Sequence, residues 1–287
     1  MGIEIKRVGV VGCGLMGSGI AQTCAQSGYE IMVHEVNQDL LDKGLARIAG
    51  AWEMLVSKGK LSESQAQEAR GRLRGTLDVA DFKDCDLVIE AIIENMEEKR
   101  KLLPQLDRVL RPEAMIASNT SSLTIMEMAA VTTRQDKVAG LHFFNPAPVM
   151  KLVEVVRTIA TSDETVATLK DFVRSLGKTP VVAKDRAGFI VNFLLIPYML
   201  EAIRMYEQGF ASMEDIDTSM KLGCGYPMGP FELLDYVGLD TTLYAAQAIY
   251  DDFKNSTYAP PPLLKRMVLA GRYGKKNGKG FYNMGLQ

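Results

Sequence analysis

An apolar, β-branched run, Ile5 to Val11, leads directly into Gly12-Cys13-Gly14-Leu15-Met16-Gly17, and the helical pattern Ile20, Cys24, Ala25 follows at once. Strand, glycine turn and helix in that order are what a dinucleotide-binding fold requires. Gly12 permits the tight turn. Gly14 has no side chain to block a pyrophosphate, and Gly17 lets helix and strand pack closely. Leu15 and Met16 open the helix whose N-terminus faces the phosphates. Such a motif alone is weak evidence, but a second strand, Glu30 to Val33, ends at His34-Glu35 and places a carboxylate 23 residues after Gly12. Glu35 can accept hydrogen bonds from the adenosine ribose hydroxyls and would repel a 2′-phosphate. No Arg or Lys follows until Lys43, so NAD is expected in preference to NADP. The alternative for Glu35, a solvated strand end, fits the spacing less well.

Beyond Glu35, the Ala-, Gln- and charge-rich stretch Asn37 to Arg74 reads as two helices around a Lys58-Gly59-Lys60 turn, with Ser62 and Gln65 as a capping box. It is longer than an ordinary crossover and is expected to project as a helical hairpin. Lys58 and Lys60 are then available to an anionic ligand, while Arg70, Arg72 and Arg74 are better read as a solvated face. Strands resume at Asp86 to Ile93, Ala114 to Ser118 and Val138 to Leu141, separated by helices Met96 to Leu110 and Leu123 to Val131. This alternation predicts an α/β domain with a doubly wound, mostly parallel sheet. Two polar clusters fall just past strand ends, where ligands bind in such sheets: Glu94 with Lys99, and Ser118-Asn119-Thr120-Ser121-Ser122. Helix caps account for one or two of that second cluster, not for all of it.

The chain has two histidines, and His142 stands at the end of the third of these strands, before Asn145, Pro146 and Pro148. A further strand, Leu152 to Val156, carries Glu154. A strand-end imidazole with a carboxylate nearby is a candidate base with its orienting group, because the carboxylate fixes the tautomer and stabilises the imidazolium. A histidine hydrogen-bonded in a core turn is the bland alternative, and the upstream nucleotide motif tells against it. Strands end with Thr179 to Ala183. From Asp185 onward the pattern is helical: Gly188 to Gln208, Met213 to Leu222 with Gly223 as its stop, Phe231 to Tyr236, Asp240 to Asp252 and Leu263 to Ala270. Two domains are therefore expected, residues 1 to 184 and an all-helical 185 to 287. Asn192 lies on an apolar stretch of the first helix, where its amide needs a partner. The segment Gly274 to Gly280 reads as a mobile terminal loop.

A chain of 287 residues holds two cores, and a net charge of -2 supplies no basic field for nucleic acid or an anionic membrane. No segment has the pattern of a secretion signal or the length of a membrane span, Phe189 to Met199 being the longest apolar stretch. A cytoplasmic protein is expected. Cys13, Cys24, Cys85 and Cys224 are scattered, with no disulfide framework or zinc pattern, and all four read as small buried residues.

Taken together, these blocks resemble the L-3-hydroxyacyl-CoA dehydrogenase family, close to its bacterial 3-hydroxybutyryl-CoA type. The likeness rests on Val10 to Gly17, Ala117 to Leu123, Gly140 to Pro146, Pro148 to Val155, Gly188 to Asn192, Tyr226 to Leu233 and Gly278 to Tyr282, in order along the whole chain. The resemblance implies a Rossmann-like domain with a helical hairpin insertion and an all-α C-terminal domain for substrate and dimerisation. It implies an NAD-dependent enzyme interconverting 3-hydroxyacyl-CoA and 3-ketoacyl-CoA without a metal. His142 would be the acid/base, Glu154 its orienter, and Ser121 and Asn192 the groups that hold the reacting oxygen. Glu35, Ala91, Glu94, Lys99, Ser121, Asn145 and, more weakly, Lys276 would line the NAD, and Lys58 would meet a coenzyme A phosphate. A homodimer is the family's habit. Two departures stand out: Phe193 replaces the usual Arg after Asn192, and Ala51 replaces a coenzyme-contacting Ser of some members. The rival readings are a dehydrogenase of a free hydroxy acid such as L-gulonate, and a non-catalytic, crystallin-like dinucleotide-binding protein.

Overall fold

The computed structural model describes residues 3 to 282. Two compact units divide at Asp185 and Arg186. The first is built on an eight-stranded sheet: β1 (Arg7–Val11), β2 (Glu30–His34), β3 (Leu73–Thr76), β4 (Leu87–Glu90), β5 (Met115–Ser118), β6 (Val138–Phe143), β7 (Leu152–Arg157) and β8 (Thr179–Lys184), in the order β3-β2-β1-β4-β5-β6-β7-β8. Strands β1 to β6 are parallel, and their 3-2-1-4-5-6 order is that of the dinucleotide-binding sheet, with the ligand crevice where the order reverses beside β1. Residues 144–151 are too few for the crossover a parallel partner needs, so β7 returns antiparallel to β6. That reversal brings the start of β7 to the carboxyl edge of the sheet.

Strands β4, β5 and β6 are buried along their whole length, as strands covered on both faces must be. Helix α1 (Leu15–Gln26) buries Ile20, Ala21, Cys24 and Ala25 in the same core as Val8, Val10, Leu87 and Ile89. The hairpin is present as α2 (Gln38–Ser57) and α3 (Glu63–Gly71), and the Ser62–Gln65 capping box forms. The stretch beyond it is not wholly helical: Leu73 to Thr76, with Arg74, form β3. A short edge strand with a glycine and one buried residue carries almost no period-two signal. Arg70 and Arg72 pair with Glu53 and Glu68, as a solvated face does. The expected helix Leu123 to Val131 is shorter than its sequence pattern suggests. Helix α4 spans Met96–Val109 and α5 only Ile125–Ala129, with Asp185 accepting from the Ile125 and Met126 amides. Helix α6 (Asp163–Ser175), absent from the sequence-based expectations, is capped by Ser162 and buries Val166, Leu169, Phe172 and Val173.

The second unit is helical: α7 (Val191–Glu207), α8 (Met213–Cys224), α9 (Pro230–Val237), α10 (Leu239–Phe253) and α11 (Pro262–Leu269). Its core gathers Met199, Leu200, Ile203, Phe231, Leu234, Ala246, Ile249 and Leu264. Gly223 does not stop α8. The helix continues to Cys224 and ends at Gly225, whose φ of 71° supplies the left-handed cap. Cys224 is exposed, unlike the other three cysteines. The 274–280 segment is tied down rather than loose. Gly274 bridges Lys279, and Lys275 N donates to Asp235 O. The buried Asp235 carboxylate also accepts from Phe281 N and Tyr282 N at 2.7 and 2.8 Å.

Candidate active site

Parallel strands place Gly12, Ala91, Asn119 and the segment after Phe143 along one edge of the sheet. The three glycines of the turn divide its work. Gly12 has φ +91° and a Cβ there would stand 2.6 Å from Ala91 O, while a Cβ on Gly17 would sit 1.7 Å from Gly12 O. A Cβ on Gly14 would meet no atom of the described residues beyond its chain neighbours within 4 Å. No protein contact accounts for a glycine at 14, so its bareness fits a ligand that takes up the space. Helix α1 begins at Leu15 and Met16 with no side chain capping its first amides, which suits a pyrophosphate. Glu35 curls back on this turn: Oε1 accepts from Cys13 N at 2.6 Å and Oε2 from Val36 N at 3.1 Å. Its carboxylate is thereby fixed beside the turn, where the adenosine ribose of an NAD would lie. The residues present thus fit a dinucleotide.

The second polar cluster forms a network around two carboxylates. Glu90, wholly buried at the end of β4, accepts from Lys99 Nζ at 2.7 Å, Ser118 Oγ at 2.5 Å and Ile92 N at 2.8 Å. Lys99, also buried, reaches Glu94 Oε2 at 3.3 Å. Glu94 Oε1 in turn accepts from Thr120 Oγ1 at 2.5 Å, Ser121 N at 2.8 Å and Ser121 Oγ at 3.3 Å. Lys99 therefore acts on Ser121 through Glu94. Glu90 escaped sequence reasoning because it falls inside the expected Asp86 to Ile93 strand, whereas β4 ends at it, although an acidic residue in a fully buried strand is itself a signal. Asn119 was noticed only as part of its cluster. Its Oδ1 accepts from Phe143 N at 2.9 Å, extending the β5–β6 pairing to the residue after His142.

His142 faces Glu154 across the antiparallel pair, and its Nδ1 lies 2.7 Å from Glu154 Oε2, with both side chains buried. The Phe144 ring packs against the imidazole at a centroid distance of 4.4 Å. A buried imidazole held by one nitrogen to a carboxylate can exchange a proton through the other. Asn145 follows on the exposed part of the turn. Lys58 is exposed at the C-cap of α2, with Nζ 3.5 Å from Met54 Sδ.

Asn192 and Lys276 belong to the second unit. Asn192 lies in the first turn of α7, half-buried, after Gly188 and Phe189 at φ 78° and 46°. A left-handed Phe is a strained conformation of the kind found where a binding group is held in place. The Arg186 guanidinium sits 3.6 Å from the centroid of Phe193, so the ring that follows Asn192 makes a cation–π contact. Lys276 Nζ donates to both Asp240 carboxylate oxygens and to Thr241 Oγ1. An open pocket of this unit is lined by Asp217, Lys221, Glu232 and Tyr282, and neither Asn192 nor Lys276 is among its walls.

Comparison with known proteins follows the same division. Residues 7–186 match the family model described as 3-hydroxyacyl-CoA dehydrogenase, NAD binding domain, and residues 188–284 the model of the 3-hydroxyacyl-CoA dehydrogenase C-terminal domain. The 3-hydroxybutyryl-CoA dehydrogenase of Mycobacterium tuberculosis is 49% identical over 284 residues, 98% of this chain and 99% of that protein. The human mitochondrial hydroxyacyl-coenzyme A dehydrogenase is 48% identical, covering 98% of this chain and 91% of its own. The crystal structure of (S)-3-hydroxybutyryl-CoA dehydrogenase PaaH1 from Ralstonia eutropha superposes with a TM-score of 0.94 at 43% identity, over 97% of this chain and 99% of that one.

Proposed function

Because the chain belongs to the 3-hydroxyacyl-CoA dehydrogenase family, we propose that it interconverts a short-chain L-3-hydroxyacyl-CoA, 3-hydroxybutyryl-CoA in the first place, and the 3-ketoacyl-CoA, with NAD as cofactor. The observation that carries this reading is the buried His142–Glu154 pair on the same sheet edge as the glycine turn and Glu35. Bound NAD supplies the hydride acceptor. With Nδ1 turned to Glu154, His142 takes the substrate's hydroxyl proton at Nε2, and Glu154 offsets the charge that appears on the ring. In the reverse direction the imidazolium returns that proton to the nascent alkoxide. Ser121 and Asn192 are the groups we assign to polarise the oxygen. Gly12, Gly14, Leu15, Met16 and Gly17 are assigned to the pyrophosphate, Glu35 to the ribose, and Ala91, Glu94, Ser121, Asn145 and Lys276 to the rest of the dinucleotide, with the buried Lys99 serving it through Glu94. Lys58 is assigned to a coenzyme A phosphate.

The test is turnover of acetoacetyl-CoA with NADH, followed by a chain-length series of 3-ketoacyl-CoA substrates and a free sugar acid. Activity confined to the sugar acid, or none on any thioester, overturns the reading. We assign the working form to a homodimer, supported by exposed apolar side chains of the second unit such as Phe210, Leu222 and Leu269, each more than 70% exposed in the single chain (76%, 83% and 87%). A monomer by light scattering at micromolar concentration would contradict it. The cytoplasm is the compartment we assign, supported by four cysteines in the free form.

A further inference from the structure

Among the buried charged side chains that the mechanism above does not use, Lys178 stands beside the segment joining the catalytic strands. Lys178, just ahead of β8, is only 7% exposed, and its Nζ donates to Ala147 O at 2.6 Å and Met150 O at 2.7 Å. Both carbonyls belong to the segment 144–151 that joins the His142 strand to the Glu154 strand. The charged and titratable groups facing this ammonium are Lys151, from the same segment, and the Cys24 thiol of α1. Neither is a carboxylate. Burial and Lys151 both push the Lys178 pKa down. A buried cation held by carbonyl dipoles, with no carboxylate partner among the described residues, is costly, and an apolar side chain would fill this space at less cost.

What the ammonium gathers is a compact turn. Val149 N and Met150 N both donate to Pro146 O at 3.0 Å. On its other side the turn lies against the cofactor helix, since a Cβ on Gly19 of α1 would stand 3.1 Å from Pro148 Cδ and 3.2 Å from Ala147 Cβ. Asn145 stands at the head of the turn. By contrast, the His142–Glu154 contact is set by the register of β6 with β7 and does not pass through Lys178.

We propose that Lys178 is a positioning residue for the cofactor: by drawing the Ala147 and Met150 carbonyls together it seats the 145–150 turn against α1 and so presents Asn145 to the dinucleotide. The proposal rests on the reading of Asn145 as an NAD contact. Lys178 touches no reacting atom and leaves the proton-transfer pair alone. Its removal therefore weakens NADH binding while the chemical step survives.

The experiment compares the full-length protein with Lys178→Met, which keeps the length of the side chain and removes its donors, and with Lys178→Arg, which keeps them. NADH affinity is read by fluorescence titration, and KM for NADH and kcat by acetoacetyl-CoA reduction. Lys178→Met should weaken NADH binding about tenfold, equivalent to about 1.4 kcal/mol, with kcat within about threefold of the unaltered protein. Lys178→Arg should recover part of that affinity. Should Lys178→Met fail to fold, Gly19→Ala presses on the same turn from the α1 side and should raise the KM for NADH severalfold. Unchanged NADH affinity in Lys178→Met, or in Gly19→Ala where that variant decides, overturns the proposal, as does a kcat loss as large as the affinity loss. No NADH binding by the unaltered chain overturns the functional reading as well. Normal binding and turnover with an indifferent Lys178→Met overturns the positioning role alone.

Discussion

His142 and Glu154 stand directly opposite one another in the antiparallel β6–β7 pair, and their side chains meet at 2.7 Å with both buried. Because the two residues work as one proton-transfer unit, their substitutions should not multiply. His142→Gln should lower kcat by a factor of about 10² to 10⁴ while changing NADH binding little. Glu154→Gln keeps a hydrogen-bonding partner for the ring but removes the charge that stabilises the imidazolium. The double variant should lose far less than the product of the two single losses. Losses that multiply in steady-state kinetics, or a near-normal His142→Gln, would show that this pair is not the one at work.

Cofactor choice should follow the Glu35 carboxylate, held against the glycine turn through Cys13 N. A 2′-phosphate brought beside it meets a fixed negative charge. The kcat/KM for NADH should exceed that for NADPH by at least about tenfold, or about 1.4 kcal/mol. Glu35→Ser should narrow the ratio. Equal kcat/KM for the two cofactors in the unaltered protein would refute the assignment.

The Glu90–Lys99 contact should matter to stability more than any surface pair. Both partners are almost wholly buried, at 0% and 1% exposure. Lys99→Met leaves the Glu90 carboxylate buried without its cation, held among the described residues only by Ser118 Oγ and Ile92 N, a change that typically costs about 3 to 5 kcal/mol. Pairing it with Glu90→Gln removes the orphaned charge and should restore much of that loss. Urea unfolding of the three variants measures both effects. A Lys99→Met midpoint equal to that of the unaltered protein would show that the pair contributes nothing.

Thiol chemistry should single out one residue. Burial pushes the Cys13 thiol up to about 11 and the Cys24 and Cys85 thiols up to about 12, whereas Cys224 lies exposed at the end of α8. The thiolate is the nucleophile, so the three buried groups should be inert at neutral pH. Ellman's reagent should titrate one thiol per folded chain, and all four after denaturation. Cys224→Ser should abolish the native reaction, and a second fast-reacting thiol would contradict the burial described.

The sequence by itself determined whatever depends on near neighbours along the chain. The glycine turn, the spacing from Gly12 to Glu35, the Ser62–Gln65 capping box and the alternation of strands with helices are local patterns, and each took the form expected of it. Local signals also misled where they were weakest: β3 is a short edge strand, and Gly223 stands within α8 while Gly225 ends it. Tertiary structure alone decided which distant side chains share a hydrogen bond. Glu90 with Ser118, Asn119 with Phe143, and Lys178 with Ala147 are separated by 28, 24 and 31 residues, and only sheet order and strand register bring them together. The same holds for His142 and Glu154. Both residues could be named from the chain, but their contact exists because a connection too short for a crossover turns β7 back against β6.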